Sequence, residues 1–293
     1  MPQNVYIQLP SCNAQGGHMD LRNVLNTTYI AARVGGKELR RWRADNIDLK
    51  SENKADGTLV TAADRAASAA ITSYIKGRDP SAFILDEERE ALHTLARPES
   101  MWVIDPLDGT HVFANGGDDF CTMVAYVQQG IPVIGAIYFP MIDLTVFGGK
   151  RVGAWVKPSE TMASPLISRR VQDLSQSQLA VPKSRSARPI YERIIHAWGV
   201  RPYWHNCSGG MYADLLRGSC DLVVSRPGHP SIWDVAAGHA ILLAIGGSVT
   251  DLKGNPLDYP TDVKLTRGHL AVIDPNLTVE ALAKLPPYAT LCE

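Results

Sequence analysis

Between Trp233 and Ile245 apolar residues fill nearly every helical position: Val235, Ala236, Ala237, Ala240, Ile241, Leu242 and Leu243. A helix apolar on almost every side is a buried helix, and Gly246-Gly247 stops it. It is too short for a bilayer, and no apolar run in the chain approaches the roughly 20 residues of a membrane span. Around it, short apolar runs of strand length alternate with helical periodicity, which predicts an α/β fold. With 293 residues, the chain is long enough to bury a large core and is organised as one large domain or two lobes. At 45% hydrophobic and 20% charged residues, the composition excludes disorder, collagen and coiled coil.

Leu21, Val24, Leu25, Tyr29, Ile30 and Val34 predict a helix from Leu21 to about Trp42 with a basic end. Thr61 reads as the N-cap of a helix from Ala62 to Lys76, closed by Gly77. Strands are expected at Phe83–Leu85, Trp102–Ile104, Thr122–Val127, Val133–Phe139 and Leu144–Phe147. The polar, Ser-rich residues 157–178 suggest a boundary between an N-terminal lobe, 20–158, and a C-terminal lobe, 159–293. In the second lobe a strand at Leu179–Val181 and a helix at Ile190–Trp198 come first. A helix at Tyr212–Leu216, an extended Asp221–Val224, strands near Gly247–Thr250 and Leu270–Ile273, and a helix from about Val279 follow. Residues 1–19 are polar and irregular and are set apart from the fold. The Gly16-Gly17-His18-Met19 stretch reads either as a vector junction or as a native tail.

Charge is nearly balanced, 29 Lys plus Arg against 30 Asp plus Glu, so no domain-wide basic footprint for a nucleic-acid polymer is present. The five cysteines form no C-x-x-C pair and are odd in number, which argues against a disulfide framework. No basic stretch followed by an apolar core opens the chain, and a cytoplasmic protein is expected.

Chemistry concentrates in three places. The apolar Trp102-Val103-Ile104 runs straight into Asp105-Pro106-Leu107-Asp108-Gly109-Thr110. The strand delivers Asp105 at its end, and a turn fixed by Pro106 can converge Asp108 on the same point. Gly109 lets a ligand approach the main chain, and Thr110 can open a helix suited to an anion. The bland alternative is an Asp-rich turn with a local cap. Asp86-Glu87-Glu88-Arg89-Glu90 follows the preceding strand and is either a solvated loop or a second set of site acids. Asp234 opens the buried helix either as its cap or as a ligand facing a cleft, and Asp64 likewise sits in a first turn where it can simply complement the helix dipole.

Together these pieces resemble the magnesium-dependent, lithium-sensitive phosphatases typified by inositol monophosphatase. Asp105-Pro-Leu-Asp-Gly-Thr110 is similar to the first motif of that family, and Trp233-Asp-Val-Ala-Ala-Gly238 to its second. Glu87-Glu88 matches the upstream acidic pair, and Asp56 to Asp64 the earlier Asp-containing element. The resemblance implies a five-layer αβαβα sandwich and hydrolysis of a small phosphomonoester by metal-activated water. It implies two or three Mg2+ ions, replaceable by Mn2+, held by Glu87, Asp105, the Leu107 carbonyl, Asp108 and Asp234. Asp64 and Thr110, with Glu87 nearby, would orient the attacking water, and Asp108-Gly109-Thr110 would cradle the phosphate. Five acids in one cleft agree with a hard cation, since bare carboxylates would repel and their pKa values would rise. No side-chain nucleophile is required for phosphoryl transfer, and the histidines show no supporting pattern; His111 reads as a loop residue. Cys121 and Cys220 read as buried core.

For the substrate, the resemblance points to Ser208 in Asn206-Cys207-Ser208-Gly209-Gly210, where Cys207 replaces the usual first glycine. Lys183 and Arg185 lie in a loop similar to one near the substrate in relatives, and Arg226 precedes the second motif; each is otherwise an exposed loop residue. The layout around Phe113, Phe120, Ile232–Gly238 and Pro256–Tyr259 is similar to bacterial phosphatases of 3′-phosphoadenosine 5′-phosphate. A 3′(2′),5′-bisphosphate nucleotidase is therefore the alternative to an inositol, sugar or nucleoside monophosphatase. A non-catalytic binding protein of the same fold is the third reading. Family members are often homodimers, although no interface is legible here.

Overall fold

The structure, a computed structural model, describes residues 20–45, 51–53, 59–159, 161–171, 173–257, 259 and 263–292. The expected matches at Asp56, Gly57, Thr58 and Asp258, and the segment 1–18, lie outside the described residues.

Helix α1 (Leu21–Ala44) leads to a two-stranded ribbon, β1 (Ser51–Asn53) and β2 (Leu59–Thr61), and then to α2 (Ala62–Arg78). A sheet follows: β3 (Ile84–Asp86), β4 (Ser100–Asp108), β5 (Cys121–Gln128), β6 (Ile131–Phe139), β7 (Leu144–Gly149), β8 (Gly153–Pro158) and β9 (Ser164–Pro165), with the short α3 (Thr110–Ala114) between β4 and β5. These seven strands lie in sequence order; β3 and β4 are parallel and every later pair is antiparallel.

The second sheet is built from β10 (Gln178–Pro182), β11 (Arg201–His205), β12 (Leu222–Ser225), β13 (Ser248–Thr250) and β14 (His269–Val272), in the order β11-β10-β12-β14-β13. Helices α4 (Arg188–Trp198), α5 (Ser208–Arg217), α6 (Ile232–Ala244) and α7 (Asn276–Ala283) connect or follow these strands.

Side-chain alternation in β5 explains the layering. Met123, Ala125 and Val127 join the core shared with α5 and α6, whereas Val124 and Tyr126 join the core under α1 and α2. Both faces of the first sheet are therefore covered. In the second sheet Ala180, Val223 and Ala271 face α5 and α6, and Leu179, Leu222 and Leu270 face α4 and α7. The order is α1/α2, sheet, α5/α6, sheet, α4/α7. Helix α6 lies between two sheets, which accounts for its lack of a polar face.

Several expected boundaries shift. Helix α2 runs one residue past Gly77 to Arg78. Helix α5 starts at Ser208 rather than Tyr212, and α7 at Asn276 rather than Val279. His111 lies in the first turn of α3, not in a loop. Strands β8 and β11 were not anticipated; both carry a proline and polar or charged residues. Residues 157–178 hold the end of β8, the two-residue β9 and a 3-10 turn. Among the described residues no helix is long and apolar enough to cross a membrane.

Candidate active site

The site begins with a register defect. In a regular strand Asp105 and Asp108, three residues apart, would point to opposite faces. Here Asp105 pairs with Met123 and Asp108 with Cys121, so three steps along β4 meet two along β5. The extra residue is a β-bulge, and it turns both carboxylates to one side. Thr122 Oγ1 donates to the Pro106 carbonyl across the bulge (3.1 Å). Leu107 N–H donates to Asp105 Oδ1 (3.1 Å).

The parallel β3–β4 pair supplies the next group. Asp86 lies beside Ile104, so the next residue on each side, Glu87 and Asp105, comes out at the same level of the sheet. Glu87 N–H donates to the Ile104 carbonyl (3.3 Å), which sets the half-buried Glu87 next to Asp105. The acidic run is not simply a solvated loop. Asp86 is fully buried, accepting from Ser68 Oγ (2.5 Å) and from the Glu88 N–H (2.9 Å). It anchors the turn that presents Glu87. The available signal was its place at the end of an apolar strand.

Helix N-termini position the remaining acids. Asp234 is the third residue of α6 and accepts from Ser231 N–H (2.6 Å) in a capping box. Asp64 occupies the same position in α2: its Oδ2 accepts from Thr61 N–H (2.8 Å) and Thr61 Oγ1 (2.5 Å). In both helices, then, the acid expected at the site is also the cap. Asp64 Oδ1 lies 3.0 Å from Thr110 Oγ1, which is also 3.0 Å from the Leu107 carbonyl. The start of α5 cradles Asp108, with Ser208 N–H on Oδ1 (3.1 Å) and Gly209 N–H on Oδ2 (2.5 Å). Ser208 thus acts on Asp108 through its backbone. The sequence assigns Gly209 no role of its own, yet a Cβ there would overlap Cys121 Sγ. Gly109 has φ +96°, a left-handed conformation that favours glycine.

Carboxylate oxygens of Asp105, Asp108 and Asp234 lie within 4.8 Å of one another. Burial raises the pKa of all three. Asp105 is pushed well above its ordinary range by burial and then by the Glu87, Asp108 and Asp234 charges. Asp108 rises to about 6 through burial, against the pull of the Gly209 and Ser208 N–H groups. Asp234 rises to about 8 through burial and the Asp108 and Glu87 charges, with Lys264 opposing. Asp64 rises through burial, held back by Thr61 and Thr110. An all-oxygen set of crowded, buried acids suits a hard divalent cation, which neutralises what water no longer can.

The other expected site residues stand apart from this cluster. Lys183 and Arg185 are exposed, and Lys183 lines a separate cleft with Asp119, Tyr203, His205 and Asn206. Among the described residues no hydrogen bond or ion pair joins either to the acids. Arg226 is half-buried at the end of β12; its N–H donates to Tyr191 Oη (3.4 Å), while its Nε is buried without a hydrogen-bond partner.

These shifts fix the sign of a pH effect. A carboxyl raised above its unfolded value keeps its proton longer in the folded protein, so stability is lost as pH climbs from about 4 to the folded value. For Asp108 that window ends at about 6 and for Asp234 at about 8. His239 and His269, buried and held at about 4 and about 3, act oppositely and remove stability as pH falls below the ordinary histidine value. Without divalent cations, Tm should therefore fall between about pH 6.5 and 8, and saturating Mg2+ should flatten that fall. Thermal melts at both pH values check this; a metal-free Tm that rises toward pH 8 contradicts it.

The sequence profile described as the inositol monophosphatase family matches residues 20–284. The 3′(2′),5′-bisphosphate nucleotidase CysQ of Aggregatibacter actinomycetemcomitans is 31% identical over 81% of this chain and 87% of its own length. A histidinol-phosphatase of Mycobacterium tuberculosis is 30% identical over 74% of this chain and 83% of its own. The solved inositol monophosphatase from Anabaena (Nostoc) superposes with a TM-score of 0.73 at 26% identity, over 92% of this chain and 99% of that one. With its layered sheets and its converging acids, the chain belongs to the inositol monophosphatase family.

Proposed function

We propose that this phosphomonoesterase is a Mg2+-dependent hydrolase of a small phosphorylated metabolite, working at the cluster of Glu87, Asp105, Asp108 and Asp234. The observation that carries this reading is the meeting of the buried Asp105 and Asp108 and the half-buried Asp234 within 4.8 Å. Glu87, Asp105, the Leu107 carbonyl, Asp108 and Asp234 would hold the cations, two or three Mg2+ with Mn2+ as a substitute. Bound there, they would supply charge neutralisation to the phosphate and lower the pKa of water.

The protein's own groups do the positioning. Thr110 Oγ1 donates its single proton to Asp64 Oδ1 or to the Leu107 carbonyl, so its lone pairs are left to accept from water. Asp64 is the base on that path: its Oδ2 is committed to Thr61, and Oδ1 faces Thr110. A carboxyl raised by burial holds a proton more readily than an ordinary aspartate. The Asp108-Gly109-Thr110 turn offers close main-chain approach to the phosphate, with Gly109 leaving space where a side chain would stand. Inhibition by Li+ accompanies this reading through the family.

The second reading is a 3′(2′),5′-bisphosphate nucleotidase acting on 3′-phosphoadenosine 5′-phosphate. Arg226 favours it, because the buried Nε without a partner offers a donor to a second anion. Ser208, Lys183 and Arg185 are the other substrate contacts in this proposal. Phosphate release should be measured for inositol 1-phosphate, adenosine 3′,5′-bisphosphate, fructose 1,6-bisphosphate and histidinol phosphate. One ester should be clearly preferred, because polar groups left unpaired by a wrong substrate can cost a factor of about 10⁴. Arg226→Ala should raise KM for a bisphosphate far more than for a chromogenic monoester. Equal effects on the two would remove Arg226 from the substrate site, and hydrolysis of none of the esters would overturn the phosphatase reading.

A further inference from the structure

Beneath the phosphate-binding turn lies a second group of donors of different chemistry. Cys121 opens β5 opposite Asp108, and Cys207 is the N-cap residue of α5. Their two sulfurs and a carboxylate oxygen of Asp108 lie within 4.8 Å of one another. All three residues are buried, at 0%, 6% and 7% exposure for Cys121, Cys207 and Asp108. Both thiols are free, and they hydrogen-bond each other.

We propose that Cys121, Cys207 and Asp108 form a binding site for a thiophilic divalent cation of the Zn2+ class, and that its occupation inhibits the enzyme. The distances suit such an ion. Zn2+ bonds of about 2.3 Å to sulfur and about 2.0 Å to oxygen, at a tetrahedral angle, put the two donor atoms about 3.5 Å apart. Cys121 Sγ and Asp108 Oδ2 are 3.5 Å apart. Two sulfurs on one such ion stand about 3.8 Å apart, inside the span of this cluster. Three protein donors leave one position of a tetrahedron open.

Sulfur separates this site from the magnesium cluster. Thiolates select Zn2+ and its soft congeners, whereas Mg2+ takes oxygen. Binding displaces the two thiol protons to solvent as the metal–sulfur bonds form. Gly109 packs against this cluster: a Cβ built on it would stand 3.3 Å from the Cys207 Cβ. Asp108 is common to both clusters, and its Oδ2 also takes the Gly209 N–H. An ion on the thiol side therefore competes for the carboxylate that the magnesium cluster needs. Only this inhibitory consequence rests on the proposed magnesium chemistry; binding to the thiols does not.

Co2+ is the probe, because tetrahedral Co2+ bound to thiolate absorbs in the visible and near ultraviolet. Titrating the full chain with Co2+ in excess Mg2+ should develop a sulfur-to-metal band that Zn2+ abolishes. Cys207→Ser, which keeps a good N-cap, and Cys121→Ser should each weaken the band's Co2+ affinity by more than about 10-fold, a loss that even outer partners of a metal can cause. Cys292→Ser, at the exposed thiol, should leave it intact. Circular dichroism establishes that each variant is folded, and Cys207→Ser alone decides if Cys121→Ser is not. Zn2+ should inhibit wild-type phosphatase activity reversibly, and the inhibition constant should rise with the Cys207→Ser change. No thiolate band in wild type, or a band lost with Cys292 and retained without Cys207, would overturn the proposal. A thiolate band without inhibition would refute the inhibitory half and leave the phosphatase reading untouched.

Discussion

With EDTA in place of Mg2+, phosphate release should fall to the uncatalysed background and return when Mg2+ or Mn2+ is restored. Among the described residues around the cluster no side chain stands ready as a nucleophile. Thr110 Oγ1 is engaged with Asp64 and Leu107. Burial pushes the Cys121 thiol well up, and Cys207 is raised as well, so neither supplies a thiolate nucleophile. An uncompensated set of carboxylates also repels the phosphate dianion it would have to admit. The fold should survive, because its cores are built from apolar layers and do not depend on the acids for packing. Steady-state release of phosphate with and without chelator is the measurement. Full turnover in EDTA would sink the metal reading.

Asp105→Asn and Asp234→Asn should each lower kcat by more than about 10²-fold, since a metal ion lends several kcal/mol to the transition state. The two variants should remain folded for different reasons. Asp105 accepts one local N–H, from Leu107, and loses a charge that burial and three neighbouring acids oppose. Metal-free Asp105→Asn should therefore melt at or above wild type near pH 8. Asp234 accepts the Ser231 N–H, and an asparagine oxygen can do the same, so the α6 cap persists. Isothermal titration should show weakened Mg2+ binding in both. Near-normal turnover by Asp105→Asn would mean that the ligand assignment is wrong.

Helix α6 was legible because its composition admits no exposed face, and the structure places it between two sheets. The acids at the end of β4 and the start of α6 were legible because an apolar run leads into the first and follows the second. Strand β11 was not, since Arg201, Pro202 and Tyr203 are exposed at the edge of the second sheet, where a proline is tolerated. The start of α5 was hidden by Gly209-Gly210, which have poor helix propensity. Packing overrides that propensity: only glycine fits beside Cys121 while its N–H reaches Asp108. Asp86 was obscured by the charges that follow it. The bulge in β4 has no signature in one strand alone, because it is a relation between β4 and β5.

The capping boxes of α2 and α6 tie two kinds of selection to single residues. Asp64 and Asp234 each hold a helix start together as well as belonging to the proposed site. A descendant that abandoned catalysis would still gain from keeping them, since losing a cap costs about 1 kcal/mol. Asp105 has no such second employment. Its burial among like charges is a standing liability to the folded chain, and drift to asparagine would relieve it. Among lineages descended from a protein built this way, the residue at position 105 is therefore the sharper fossil of lost chemistry, and the two caps would outlast it.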